Sequence, residues 1–214
     1  LTNKPNIVYG VPYGFNNLEN VAPRSGPSPE DIWQTDRETW KKYREIQQWI
    51  DISEKGFGVT VATNLVGVRV NPPIAVCLVR WPQSCTASFS IRPHEFGWKE
   101  AKAYRLGWEL NNPLLAVTVN DTYTEKRLPP EMSFCHTSTD NIVITVLKKS
   151  KEKNCVVLRF YEAEGKSTKT NISFFRKIRS VFETDLLEEE TKSLDDTAIQ
   201  VNAQEIKTVK LQIY

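Results

Sequence analysis

Residues 154–163 read NCVVLRFYEA, and their apolar side chains alternate along the chain. Val156, Leu158 and Phe160 fall on one side of an extended strand, because successive side chains of a strand point to opposite faces. The closing residues 204–214, QEIKTVKLQIY, show the same period of two. Both segments are therefore predicted to be half-buried strands.

Further strand signals lie between and before these two segments. Strands are predicted at 142–148, 155–161, 168–174, 178–184, 198–201 and 206–213. Six short strands separated by polar turns are typical of a small β-sandwich. The acidic run at 188–190 is predicted to lie in a solvated loop.

The first half of the chain also carries an antiparallel strand pattern, with Gly, Asn and Pro at the turns. Strands are predicted at 59–62, 66–70, 74–81 and 86–92. The clearest helix is predicted at 98–110, where Pro113 ends it. Helix-start signatures predict one or two short helices between Ser28 and Arg44, and residues 11–29 are predicted to form a surface connection.

The best domain boundary is the polar segment 120–140, which contains two adjacent prolines. The predicted domains are therefore residues 1–130 and residues 131–214. The chain begins with Leu1 rather than Met, which indicates a piece of something longer.

Charge and hydropathy exclude several classes of partner. The 28 basic and 26 acidic side chains nearly balance, so no field would attract nucleic acid or an anionic membrane. No apolar run approaches the roughly 20 residues that a membrane helix needs. We therefore expect a soluble protein that binds neither nucleic acid nor membrane, while two glycosylation sequons, at Asn120 and Asn171, leave its compartment open.

The metal-binding residue types are too few and too scattered for a zinc site. The chain has only two histidines, His94 and His136, and no CxxC pair. His136 lies in the polar segment with no partner at ligand spacing. No metal or cofactor is predicted in this chain, and the four cysteines are interpreted as small buried side chains: Cys77, Cys85, Cys135 and Cys155. A disulfide between Cys77 and Cys85 across a hairpin is the alternative interpretation.

A series of segments, in one order along nearly the whole chain, resembles a known family. The segments are 8–14 (VYGVPYG), 45–54 (EIQQWIDISE), 58–59, 89–94 (FSIRPH), Trp98, 110–114 (LNNPL), 141–149 (NIVITVLKK), 154–163, 181–189 and 204–211. They are similar to the later β part of glycoside hydrolase family 38, the α-mannosidases.

The resemblance implies an all-β chain. The first domain is expected to be the second part of a large antiparallel, mutarotase-like β-supersandwich, and the second a smaller C-terminal β-sandwich. It also implies a strand at 48–53, so that the preceding helix ends near Arg44. His94 matches a family position in a strand-to-helix connection, which implies a structural role.

The resemblance places the chemistry outside this chain. The family's nucleophilic Asp and its zinc ligands, two Asp and two His, belong to a preceding catalytic domain that performs a retaining displacement. We therefore expect a non-catalytic portion that supports this domain in hydrolysing α-mannosides. The expected partners are that catalytic domain and a mannose-containing carbohydrate.

One departure from the family suggests where a substrate contact would lie. The family often has a long acidic loop after the strand that here ends at Arg80, and this chain has only residues 80–85 there. The candidate substrate-binding residues are Arg80 and Trp81.

Two other functions fit the residues less well. The first is an independent carbohydrate-binding module using exposed aromatic side chains; its candidates are Trp33, Trp40, Trp81 and Trp98, although large aromatics are usually buried. The second is an enzyme formed by this chain alone. Its candidate acid and base residues have a spacing in the sequence that gives no sign of a shared cleft: Asp51, Glu54, Glu95 and Glu100.

Trp81→Ala separates the two roles predicted for that residue. If Trp81 docks a catalytic domain, the change should lower the stability of the complete protein by about 3–5 kcal/mol, as truncation of a buried aromatic does. If Trp81 binds sugar, stability should stay within about 0.5 kcal/mol while mannoside binding is lost. Urea unfolding and a binding titration measure both, and no response in either would contradict both roles.

Overall fold

The computed structural model describes residues 5–20, 43–64, 67–69, 75–76, 86–118, 129–194 and 196–214. The chain divides into two compact units, Leu1–Leu114 (unit 1) and Leu115–Tyr214 (unit 2). The described residues form antiparallel sheets with one α-helix, which confirms the predicted all-β class. The predicted division between residues 130 and 131 lies further along the chain and stays a prediction.

Unit 1 contains two antiparallel sheets. Its strands are β1 (Asn6–Val11), β2 (Gly14–Asn17), β3 (Tyr43–Glu45), β4 (Trp49–Glu54), β5 (Phe57–Thr63), β6 (Gly67–Arg69), β7 (Ala75–Val76) and β8 (Phe89–His94). A short 3-10 helix spans Leu18–Asn20, and helix α1 spans Ala103–Asn111. Five strands pair in the order β2-β1-β4-β5-β8, and three in the order β3-β6-β7.

The apolar face of the five-stranded sheet is covered unequally. The register aligns Tyr9 with Ile50, Ile50 with Val61, and Val61 with Ile91, so these four share one face. Tyr9 and Ile50 are buried in a core cluster, and Val61 packs against it. Ile91, on the last strand, is 68% exposed. Burial on this face therefore falls from β1 to β8.

The opposite face of this sheet is covered by the α1 segment. Arg92 Nη2 donates hydrogen bonds to the carbonyl oxygens of Ala101 (2.7 Å) and Lys102 (3.2 Å), which join β8 to the residues before the helix. Helix α1 itself packs against β4 and β5. It begins at Ala103 and not at the predicted Trp98, because Lys102 has left-handed backbone angles (φ 54°) that an α-helix cannot contain.

A buried polar network lies on the same face. Thr60 Oγ1 donates to Asp51 Oδ2 at 2.7 Å, and His94 Nε2 lies 2.8 Å from the same oxygen. His94 Nδ1 donates to the carbonyl oxygen of Phe96 at 2.6 Å. The network joins β4, β5 and β8, which agrees with the structural role implied for His94. Gly58 makes room for it, since a Cβ there would lie 2.2 Å from His94 Cε1.

Unit 2 is a sandwich of two antiparallel sheets. Its strands are β9 (Cys135–Thr137), β10 (Ile142–Lys149), β11 (Cys155–Glu162), β12 (Thr168–Phe174), β13 (Ile178–Thr184), β14 (Glu190–Leu194), β15 (Ala198–Val201) and β16 (Ile206–Ile213). The sheet orders are β10-β11-β16-β13-β14 and β15-β12-β9. Four predicted strands match in both bounds, and the other two each extend by one residue.

Apolar side chains from both sheets form the core of unit 2. Leu158 and Phe160 on β11 and Val209 and Leu211 on β16 are completely buried, and Ile172 on β12 meets them from the other sheet. These are the alternating positions that the period of two predicted. The small β-sandwich is therefore confirmed.

A buried carboxylate closes one end of the sandwich. Glu162, at the end of β11, is completely buried, and both its oxygens accept hydrogen bonds. Asn141 Nδ2 and the backbone N–H of Glu164 donate to Oε1 (2.9 and 2.8 Å). The backbone N–H groups of Gly165, Lys166 and Gln204 donate to Oε2 (2.7, 3.0 and 3.0 Å). The Glu162 side chain thus joins the turn after β11 to the turn before β16, and we call this arrangement the Glu162 clamp.

The second buried charge of unit 2 contacts the acidic run at 188–190, in which Glu188 and Glu189 lie outside a strand, as predicted, while Glu190 begins β14. Lys210, on the face of β16 away from the core, is almost completely buried and donates from Nζ to Glu152 (2.6 Å) and Glu190 (3.2 Å). The hydrogen bond to Glu152 raises the pKa of Lys210. Glu190 is the first residue of β14, and Glu188 forms an ion pair with Lys148. This acidic run therefore pairs with lysines as an edge strand begins.

Three further expectations were wrong. Tyr43 and Arg44 lie in β3, not at the end of a helix. Strand β2 falls inside the predicted surface connection, and His136 lies in β9 instead of a polar linker. The remaining parts of the helices predicted between Ser28 and Arg44 lie outside the described residues.

Glu162→Gln should lower the free energy of unfolding by about 3 kcal/mol. An amide has one acceptor oxygen where the carboxylate has two, so some of the backbone N–H groups lose their charged acceptor, and each such hydrogen bond is worth about 1.5–3 kcal/mol. Urea unfolding measures the change, with the exposed Glu189→Gln as matched control within about 0.5 kcal/mol. A Glu162→Gln chain as stable as the control would contradict the clamp.

Asp51→Ala should destabilise unit 1 by about 3–5 kcal/mol, because it leaves the buried His94 imidazole and Thr60 hydroxyl without their shared acceptor. Thermal or urea unfolding monitored by tryptophan fluorescence would show the loss. The exposed Glu95→Ala is the control and should change stability little. Equal stabilities of the two variants would show that the network contributes nothing.

Candidate functional site

An open hollow of about 820 Å³ lies in unit 1. One wall is the turn between β4 and β5, and the other is the segment that follows β8. Its lining includes Glu54, Lys55, Glu95, Phe96 and Glu100. Pockets of this size are in the range that binds small molecules.

Backbone geometry fixes the first wall. Gly56 has φ 87°, a left-handed conformation that glycine adopts without steric cost, and so ends the tight turn that carries Glu54 and Lys55. Strands β4 and β5 pair up to Glu54 and Phe57 at this turn. The turn is therefore held by the sheet itself.

The buried His94 fixes the second wall. Its hydrogen bond to the carbonyl oxygen of Phe96 holds the backbone of a residue that lines the hollow. The backbone N–H of Ala101 donates to the carbonyl oxygen of Gly97 at 3.0 Å, which closes the turn towards α1. Both walls thus depend on elements packed into unit 1.

The hollow combines hydrogen-bond acceptors with one aromatic ring. Glu54, Glu95 and Glu100 contribute carboxylates, Lys55 contributes an ammonium group, and Phe96 is 62% exposed. Among the described residues, no three His, Cys, Asp or Glu side chains are grouped so that they could hold a metal ion. The arrangement can accept hydrogen bonds from hydroxyl groups and present an apolar surface beside them.

The hollow brings together carboxylates that the sequence seemed to scatter. Glu54, Glu95 and Glu100 line one concavity, which corrects the expectation that no cleft is shared. Asp51 is buried in the His94 network instead. Each wall contains an acid–x–Gly turn directly after a strand, Glu54-Lys55-Gly56 and Glu95-Phe96-Gly97, and this repeated pattern was the available signal.

The predicted sugar-binding aromatics do not assemble into a site within the described residues. Trp98 is buried, with its ring 5.5 Å from that of Trp49 and 4.5 Å from that of Phe15. It is therefore a core residue of unit 1, and its sugar-binding role is corrected. The remaining candidates lie outside the described residues and stay predictions: Trp33, Trp40, Arg80 and Trp81.

Among the described helices, none is long and apolar enough to cross a membrane.

A protein-family model matches part of unit 2. Residues 141–209 match the family model described as "Glycosyl hydrolases family 38 C-terminal beta sandwich domain". This range begins one residue before β10 and ends within β16, so it spans most of the sandwich.

Relatives by sequence are α-mannosidases. Alpha-mannosidase G of Dictyostelium discoideum is 26% identical over 186 residues, which are 76% of this chain and 17% of the relative. Alpha-mannosidase 2C1 of Mus musculus is 27% identical over 142 residues, 59% of this chain and 13% of the relative. The chain thus spans less than a fifth of the length of these relatives.

Solved structures extend the similarity in fold to nearly the whole chain. An α-mannosidase from Enterococcus faecalis V583 covers 96% of it with a TM-score of 0.70 and 17% identity, and the match takes up 24% of that structure's chain. The family model matched over residues 141–209, the α-mannosidase relatives and this shared fold make the chain similar to the C-terminal β-domain portion of glycoside hydrolase family 38 proteins.

Proposed function

We propose that this chain is the non-catalytic β portion of an α-mannosidase-like glycoside hydrolase. In this proposal it supports a zinc-dependent retaining catalytic domain that is not part of the chain and that hydrolyses α-mannosides. The support comes from the names of the relatives and from an uncovered apolar surface on unit 1.

This surface is the exposed end of the apolar face of the five-stranded sheet, and we call it the β5–β8 strip. Its members are Phe57 on β5 and Phe89 and Ile91 on β8. The register aligns Phe89 with Thr63 and Ile91 with Val61. Phe57 lies an even number of residues before Val61 and Thr63 on β5, so all three side chains point to the same face. Phe57 is 47% exposed, Phe89 is 43% exposed, and Ile91 is more exposed than either.

Contiguous apolar patches on a soluble protein usually mark an interaction site. Burying a large apolar side chain is worth about 1.5–3 kcal/mol, so covering the three side chains of the strip would stabilise an interface considerably. The relatives are about six to eight times longer than their matched segments, which leaves ample chain to provide a cover. We propose that the cover is the catalytic domain of the same protein.

The alternative, an independent carbohydrate-binding module built on exposed tryptophans, has less support. Trp98 belongs to the core of unit 1, and Trp33, Trp40 and Trp81 are outside the described residues. The three side chains that define the β5–β8 strip, in contrast, are all apolar.

Ile91→Lys tests the docking proposal in the complete protein that contains this chain. A charge at the centre of the strip should weaken the interface, so activity on an aryl α-mannoside and the thermal midpoint should both fall. The isolated chain should keep its stability within about 0.5 kcal/mol, because Ile91 is exposed there.

Leu187→Lys is the matched control, since Leu187 is at least as exposed as Ile91 but lies in unit 2. It should leave both activity and midpoint unchanged. If Ile91→Lys behaves like Leu187→Lys in the complete protein, the strip does not dock a catalytic domain.

A further inference from the structure

We propose that the hollow of unit 1 is a binding site for a neutral pyranose unit, with Phe96 as its stacking surface and Glu95 and Glu100 as acceptors for ring hydroxyls. None of the residues that line the hollow is a member of the β5–β8 strip. The site rests on the proposed function only for the choice of mannose as the first sugar to test.

Phe96 is the one aromatic residue among the described residues that line the hollow. The side chain is 62% exposed, yet its backbone is held by the bond from His94, a side chain that is itself nearly buried. A backbone that is already fixed in this way loses little conformational entropy on binding. The exposed Phe96 ring offers an apolar surface to the C–H face of a sugar ring.

Glu95 and Glu100 supply the polar side of the site. Both line the hollow, and within the described residues neither forms a hydrogen bond or an ion pair. Their carboxylate oxygens are thus open to the hydroxyl groups of a ligand. Hydrogen bonds from hydroxyls to a charged acceptor are among the stronger ones in proteins.

Asn6 completes the range of hydrogen-bonding groups. Its Oδ1 accepts a hydrogen bond from Asn17 Nδ2 at 2.8 Å, which orients the side chain and leaves its own Nδ2 to donate. Asn6 also lines the hollow. A sugar hydroxyl both donates and accepts, and the hollow provides groups for each.

The charges of the lining decide between ligand classes. Glu54, Glu95 and Glu100 against Lys55 leave a net charge of −2 (three negative, one positive), which disfavours phosphorylated or acidic sugars. The carboxylates are also not grouped as metal ligands among the described residues. A neutral polyhydroxylated ring fits this combination better than an anion or a bare cation.

The test is a titration of the 214-residue chain with methyl α-D-mannopyranoside, followed by amide NMR shifts. We expect saturable shifts at Glu54–Gly56 and Glu95–Gly97, and no such shifts with mannose 6-phosphate. Phe96→Ala should weaken binding at least about fivefold, as loss of an aromatic contact does. Glu95→Gln should weaken it as well, with unfolding midpoints unchanged for both variants.

Phe134→Ala is the matched control, because Phe134 is half exposed but lies in unit 2, and it should leave binding unchanged. Absence of saturable shifts, equal affinity for mannose 6-phosphate, or an unaltered affinity in Phe96→Ala would overturn the sugar site. Such a failure is distinct from failure of the docking proposal, which the Ile91→Lys variant of the complete protein decides by itself.

Discussion

An apolar sheet face must be removed from water, and in unit 1 this requirement is met at one end of the sheet only. Tyr9 and Ile50 are buried, while Ile91 on the same face is largely exposed. Each additional strand beyond β4 is therefore less well covered by the chain itself. The proposed role of the chain follows from this gradient, because an exposed apolar edge favours association with another surface.

The opposite face of the same sheet is completed by polar contacts. Arg92 bonds to the backbone before α1, and Thr60 and His94 both contact one oxygen, Oδ2, of the buried Asp51 carboxylate. Buried polar groups of this kind cost free energy unless they are paired, so their geometry is strongly specified. The network also fixes the backbone of one wall of the hollow, because His94 donates to the carbonyl oxygen of Phe96.

The sequence predicted the strands of unit 2 well, because a buried sandwich core leaves a clear alternation of apolar residues. Strands β9 and β14 gave no such signal. The first has three residues, and the second, ETKSL, is a mostly exposed edge strand whose side chains are largely polar. Edge strands often carry charge in this way, which makes them hard to distinguish from loops.

The sequence of unit 1 was less informative about its structure, because contacts between residues far apart in sequence override the local residue spacing there. The apolar and aromatic spacing from Trp98 onward favoured a longer helix, but the left-handed backbone of Lys102 separates the first turn from α1. The hollow could not be predicted from spacing, because Glu54 and Glu95 are brought together by the pairing of β5 with both β4 and β8. Such long-range pairings are set by the whole sheet.

The Glu162 clamp also bears on the motions of unit 2. Its carboxylate holds the amide hydrogens of Gly165, Lys166 and Gln204, which belong to two turns far apart in sequence. Both turns donate to the same carboxylate oxygen, so the opening of one turn releases the side chain that also holds the other. The two turns are therefore coupled in one cooperative opening unit. Solvent hydrogen exchange at these amides would then proceed at similar, slow rates, although turns at the end of a sandwich ordinarily exchange fast and independently.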